Sequence, residues 1–352
     1  MSRYLAGRLR GLTPYVPGER TDAYQLRLNF NESPYPPLEQ VEEAVRDAAR
    51  GLNRYADPDC TLLREAIGRV NGLPGECVLA ANGLDQVLFL SLLAFAGPDR
   101  PIRLPDITYT YYDDFIAVLG IPCERVPLKE DFTIDPGDYM TPGVMPVIVD
   151  PNAPTGLSLP RGAVEAILRA DPNRPVIIDE AYAGFGAESS LPLIRDYPNL
   201  IIARTLSKGA ALAGARVGYA LGQKEIISEL ASARSMTDLY GVSAMGQAAG
   251  IAALENWDLI TASCQRIAAE RDCTAERLRA LHCKVLPSLT NFLFVRPPAP
   301  AGSVFEALKA RGVLVRHWDQ PRVKDYLRVS VGTGEEMDRF IAILSEILEG
   351  AL

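Results

Sequence analysis

The chain has 352 residues, enough for about two domains. Hydrophobic residues make up 48% and charged residues 23%, near the averages of a globular protein, which excludes a disordered polymer and allows a large core. Lys and Arg number 36 against 44 Asp and Glu, so the net charge is −8, and without a basic tract the chain is a poor partner for nucleic acid or anionic membrane.

The first 37 residues are rich in Pro, Tyr and Arg and read as an irregular arm. Leu38, Val41, Ala44, Val45, Ala48 and Ala49 then share one face of a helix. Cys77–Ala81 is a short apolar run ended by Asn82-Gly83, and the nearly all-apolar stretch from Asp85 to Phe95 reads as a buried helix. Val144–Val149 is a β-branched run ended by Asp150-Pro151-Asn152-Ala153-Pro154-Thr155-Gly156. A helix from Pro160 to Ala170 follows, then strand-like runs at Val176–Ile178, Leu200–Ala203 and Val217–Leu221. Strands alternating with helices predict a mostly parallel central sheet flanked by helices, an α/β fold.

After Gly222 the pattern predicts two long helical stretches, Lys224–Met236 and Ser243–Leu281. A second α/β segment follows, with strands at Asn291–Val295, Val313–Val315 and Tyr326–Val331 and helices at Val304–Arg311 and from Glu335. The expected division is an arm (1–37), a large domain (38–241), and a connecting helix with a smaller C-terminal α/β domain (242–352). The arm is expected to pack on the small domain or to reach a partner subunit.

The Met-Ser-Arg start lacks the apolar core of a signal peptide, and no run reaches the roughly 18 apolar residues of a membrane span, so a cytoplasmic protein is expected. Six cysteines without a CxxC read as reduced thiols. His282 and His317 are the only histidines, which leaves little for a His-based zinc site or a Ser-His-Asp hydrolase.

The chemistry gathers at strand ends, where open α/β sheets bind ligands. Lys208 follows a strand and two hydroxyls, Thr205 and Ser207; a small-residue loop and Arg216 come after it. Alone, such a lysine is a surface residue. Beside hydroxyls and an arginine suited to a phosphate monoester, it suits a Schiff base with a carbonyl cofactor. Asp179 ends a buried strand, and could cap a helix or hold Mg²⁺. The chain has no GxxxxGK[ST], so a phosphate cradle for a nucleotide-hydrolysing P-loop is missing. A carboxylate on a pyridinium nitrogen is the better reading, with Tyr182 and Asn152 as donors to the ring phenolate. Gly83 and Leu84 open a helix whose backbone N–H groups suit a phosphate.

Together these motifs resemble the fold-type I pyridoxal 5′-phosphate (PLP)-dependent aminotransferases, and within them the histidinol-phosphate aminotransferase family. The likeness runs through Leu28-Asn29-Phe30-Asn31-Glu32-Ser33-Pro34-Tyr35, Asn53-Arg54-Tyr55-Ala56-Asp57-Pro58, Pro105-Asp106-Ile107-Thr108-Tyr109, Pro151-Asn152-Ala153-Pro154-Thr155-Gly156, Ser207-Lys208 with Arg216, and Leu327-Arg328-Val329-Ser330-Val331-Gly332. It implies that Lys208 holds PLP and then shuttles a proton, that Asp179 pairs with the pyridine nitrogen, and that Asn152 and Tyr182 bind the phenolate oxygen. Tyr109 would stack on the ring, while Gly83, Leu84, Thr205, Ser207 and Arg216 hold the phosphate. Tyr55 would reach the phosphate of a neighbouring subunit, which implies a homodimer with shared sites. Arg328, Arg316 and Tyr15 would bind substrate anions.

The implied reaction moves an amino group from histidinol phosphate to 2-oxoglutarate, a step of histidine biosynthesis. Leu84-Asp85-Gln86 departs from the Ser-Asp-Glu common in the family and loses a hydroxyl. An aromatic amino acid aminotransferase and a threonine-phosphate decarboxylase of the same fold are the alternatives. A DNA-binding regulator built on this fold would need a helix-turn-helix module that 37 residues cannot supply.

Overall fold

The computed structural model describes residues 4–12, 19 and 25–351. Tyr15 lies outside them. The arm contributes a two-residue strand, β1 (Leu26–Arg27). Two helices follow, α1 (Glu39–Ala48) and α2 (Thr61–Asn71), then β2 (Val78–Asn82), α3 (Gly83–Phe95), β3 (Ile102–Pro105), α4 (Tyr112–Leu119) and β4 (Cys123–Val126). Next come β5 (Met145–Val149), α5 (Arg161–Ala170), β6 (Val176–Asp179), β7 (Leu200–Thr205), β8 (Val217–Leu221) and α6 (Lys224–Thr237). These strands form a seven-stranded sheet in the order β2-β8-β7-β6-β5-β3-β4. It is mostly parallel as expected; β8 alone runs against its neighbours, β2 and β7.

Period-two alternation explains how this sheet is covered on both faces. Ile178, Leu200, Ile202 and Val217 pack in one core with α5 residues Val164 and Ile167. Val147, Ile177, Ile201 and Ala220 point the other way, into a core with Val87, Leu88 and Leu92 of α3. The nearly all-apolar character of α3 follows, because most of its length is buried against the sheet.

The chain continues through α7 (Ala244–Glu255) and α8 (Trp257–Ala280). The single helical stretch expected over Ser243–Leu281 is therefore two helices. Asn256, at φ −113° and ψ 37°, leaves the helical region and ends one before the next begins. Neither Gly nor Pro marks the break, and apolar residues continue on both sides. Ala249, Ala253, Ile260 and Cys264 pack under the large sheet, whereas Ala275 and Leu278 join a third core.

That third core lies over a four-stranded antiparallel sheet. Its strands are β9 (Lys284–Val285), β10 (Phe292–Arg296), β12 (Arg316–His317) and β13 (Leu327–Ser330), in the order β12-β13-β10-β9. Helices α9 (Ala301–Ala310) and α10 (Gly334–Ala351) cover it with Val304, Leu308, Phe340 and Leu344. Strand β11 (Val313–Leu314) pairs in parallel with β1, so the arm packs against this C-terminal part. Among the described residues, no helix is long and apolar enough to cross a membrane.

Candidate active site

The sheet order brings the functional loops to one edge. Strands β3, β5, β6 and β7 are parallel, and β2 runs the same way because two antiparallel pairings separate it from β7. Their carboxyl ends deliver Asn82-Gly83, Tyr109, Asn152, Asp179 and Lys208 to that edge. β8 runs oppositely, so its amino end brings Arg216 there as well.

Leu84, Tyr109, Asp179, Tyr182, Thr205, Ser207, Lys208 and Arg216 line one cavity of about 160 Å³. Lys208 is partly buried, and its amine donates to the carbonyl oxygen of Phe30 at 3.0 Å. Burial and then the nearby Arg328 charge lower its pKa to about 8, although Glu32 and Asp85 pull the other way. Asp179 is 1% exposed. Its carboxylate accepts from the Ala181 N–H at 3.0 Å and from the Tyr112 hydroxyl at 3.1 Å. Both donors are neutral, so burial raises it to about 7. A buried acid of this kind, facing a cavity, fits a ligand that presents a cationic N–H.

The anion end of this cavity is built tightly. Gly83 has φ +79°, and a Cβ there would come within 2.4 Å of the Arg216 guanidinium. The positive φ favours glycine, and its missing Cβ leaves the Arg216 guanidinium room beside the start of α3, whose first N–H groups have no partner within the helix. The Thr205 hydroxyl donates to Ser207 Oγ at 2.9 Å and accepts the Ser207 N–H at 3.0 Å. Arg216 pairs with Asp85 at 3.2 Å, and the Tyr109 hydroxyl donates to the other oxygen of Asp85, also at 3.2 Å. Hydroxyls, an arginine and a helix amino end together fit a phosphate monoester.

Asn152 is buried just behind this cavity. Its amide nitrogen donates to Ile107 O at 3.0 Å and Thr155 Oγ1 at 3.1 Å, while its oxygen accepts from the Thr108 hydroxyl at 2.9 Å. Donation to a ligand would replace one of the first two bonds. Tyr55 stands apart. It is 84% exposed and stacks on Tyr240 with ring centroids 4.6 Å apart.

A second cavity, of about 270 Å³, adjoins the first; Tyr109, Tyr182 and Lys208 line both. Arg316 and Arg328 face it with Trp318. These two arginines are direct register partners across β12 and β13. Like charges placed opposite each other are destabilising without an anion between them. Trp318 eases the pairing, because each guanidinium lies over its ring, at 5.5 Å and 5.4 Å from the centroid. Arg328 also donates to Asn29 O at 2.7 Å.

A family model described as aminotransferase class I and II matches residues 23–344. The chain belongs to this aminotransferase family. It is 42% identical to histidinol-phosphate aminotransferase 1 of Bradyrhizobium diazoefficiens, over 99% of this chain and 100% of that one. Its identity to histidinol-phosphate aminotransferase 2 of Burkholderia lata is 40%, over 99% and 100%. Among solved structures it resembles histidinol-phosphate aminotransferase from Sinorhizobium meliloti in complex with pyridoxal-5′-phosphate, with a TM-score of 0.89, 26% identity, and coverage of 100% of this chain and 99% of that one.

The site of this aminotransferase also contains residues that sequence reasoning missed. Tyr112 holds Asp179, Thr108 holds Asn152, Asp85 ties Arg216 to Tyr109, and Asn31 donates to the Tyr182 hydroxyl at 2.9 Å. Trp318 takes both guanidinium groups of the arginine pair over its ring. Asn31 lies within a motif already singled out, but nothing in its spacing connects it to residue 182.

Proposed function

We propose that this aminotransferase holds PLP on Lys208 and transfers the amino group of L-histidinol phosphate to 2-oxoglutarate, giving imidazole acetol phosphate and glutamate. One relationship carries the reading. A lysine and a buried acid share a cavity with a phosphate cradle, and that cavity opens into a second one bearing two opposed arginines. Relatives near 40% identity over the full chain, named histidinol-phosphate aminotransferases, support the choice of donor.

When bound, PLP supplies an electrophilic carbonyl and an electron-poor ring that accepts the charge left by a departing Cα proton. Gly83 and Leu84 through their N–H groups, Thr205 and Ser207 through their hydroxyls, and Arg216 through its guanidinium hold the phosphate. Tyr109 stacks on the ring. Asp179 keeps a proton on the ring nitrogen, since ionisation of this buried acid is favourable only beside a cation. Tyr182 and Asn152 donate to the phenolate oxygen. With PLP bound, Lys208 would be the base that takes the donor's Cα proton and the acid that gives it back. Its lowered pKa puts a useful fraction of free amine near neutrality. Arg328 and Arg316 bind the phosphate of the donor and, in the return half, the carboxylates of the 2-oxo acid. Tyr15 belongs to the same substrate contacts.

Tyr55 serves the site of a second copy. An exposed tyrosine stacked on another, with exposed Leu52, Met236 and Leu239 within a few residues of the pair in sequence, supports a homodimer with shared sites. The test of the reaction is product formation from histidinol phosphate with and without 2-oxoglutarate. Strict dependence on the 2-oxo acid is expected; product formation from threonine phosphate without any 2-oxo acid would indicate the same-fold decarboxylase instead.

A further inference from the structure

Asn31 is 1% exposed and sits at φ 53°, in the left-handed region that asparagine tolerates better than most residues. The small sheet fixes it from two sides. Its N–H donates to Ser330 Oγ at 2.8 Å, and its carbonyl accepts from the Asn291 amide at 2.9 Å. Its side-chain oxygen accepts from the Ser330 hydroxyl at 2.9 Å, which turns the amide nitrogen toward Tyr182. A buried, strained and over-determined residue beside a reactive site points to function.

Two neighbours also touch the site. Asn29 O accepts from Arg328 and Phe30 O accepts from Lys208. Those are main-chain contacts that any residue can supply. At position 31 the side chain itself reaches a functional group, the Tyr182 hydroxyl.

We propose that Asn31 is a positioning residue for Tyr182: by donating to the phenolic oxygen, it turns the tyrosine's own proton toward the phenolate oxygen of the bound cofactor. A hydroxyl that accepts from one side presents its O–H elsewhere. Tyr182 faces the cavity, so that direction is where a ligand sits. The inference rests on the PLP reading above.

The test is a pH titration of the visible absorbance of the PLP-loaded protein, without substrate. Asn31→Gly removes the amide yet keeps the positive φ and both main-chain bonds. A hydrogen bond to the phenolate oxygen weakens its hold on the proton shared with the Lys208 nitrogen, so a less well-directed Tyr182 leaves that proton more tightly bound. The midpoint should rise by about half a unit to one unit, the scale of one hydrogen bond. Ser330→Ala frees the Asn31 amide and should move the midpoint the same way by less; its shift decides the matter if Asn31→Gly folds poorly. In a Tyr182→Phe background, Asn31→Gly should add nothing. An unchanged midpoint in a normally loaded variant, or an equal shift without the tyrosine hydroxyl, overturns the role of Asn31. Failure of the parent protein to take up PLP overturns the cofactor reading, and this inference with it.

Discussion

The amine of Lys208 donates to the carbonyl oxygen of Phe30 at 3.0 Å, across 178 positions of sequence. The contact ties the end of β7 to the arm, whose Leu28 carbonyl accepts the Ser330 N–H of β13 in the small sheet. The reactive lysine is therefore held by both sheets' surroundings, in a buried place that depresses its pKa.

That depression has a kinetic consequence. Capture of PLP by cofactor-free protein needs the neutral amine as nucleophile. The neutral fraction grows as pH rises through about 8, well below the ordinary lysine value of 10.5. Stopped-flow uptake rates should climb with pH and level off above about 8. A rise that continues to the ordinary lysine range would contradict the enclosed geometry of Lys208.

Asp179 gives a stability signature. Its folded pKa of about 7 lies above the ordinary 3.8, so the fold favours the protonated acid. The stability this supplies is fully present below about 3.8 and is lost as pH rises through about 7. Asp179→Asn removes the charge permanently. Thermal unfolding of the cofactor-free variant should show a gain over the parent at pH 8, up to about 4 kcal/mol, and little difference near pH 4. With PLP added, the same variant should lose several orders of magnitude in transamination rate. A near-normal rate would remove Asp179 from the role assigned to it.

Arg328→Ala separates substrate from cofactor. It removes a guanidinium suited to two charge-assisted hydrogen bonds, so KM for histidinol phosphate and for 2-oxoglutarate should rise by about a hundredfold. PLP affinity, measured by equilibrium titration, should change only slightly. Equal losses in both would place Arg328 in the cofactor site instead.

Sharing of sites is open to complementation. Tyr55→Ala and Lys208→Ala proteins, each impaired, should regain activity when mixed under conditions of subunit exchange. A mixed dimer has one site with both lesions and one with neither, so recovery should approach about a quarter of the parent activity. No recovery despite proven exchange would place Tyr55 and Lys208 in the same subunit's site.

Much of this was legible in the sequence, for a physical reason. Asp179, Lys208 and the Thr205–Ser207 hydroxyls follow buried β-branched strands, and strand ends in an open α/β sheet share an edge. What stayed hidden depends on contacts between distant segments. Tyr112 reaches Asp179 from α4, 67 positions away in sequence, and is fully buried there. The facing of Arg316 and Arg328 depends on the register of a two-residue strand, too short to carry a pattern. The break at Asn256 has no Gly or Pro to announce it. Asn31 acts through a left-handed backbone and a clamp from Ser330, both invisible until the small sheet is built.

The central claim is that Lys208 holds PLP in a site that takes histidinol phosphate as its amino donor. The most direct measurement is a single half-reaction without any 2-oxo acid, in which the loaded protein is mixed in turn with histidinol phosphate, Phe, Tyr, Glu and threonine phosphate, and loss of the cofactor's visible absorbance is followed. Histidinol phosphate should discharge the absorbance fastest and at the lowest concentration, with Lys208→Ala inert throughout. An unchanged absorbance with histidinol phosphate, alongside rapid loss with Phe, Tyr or threonine phosphate, would contradict the account.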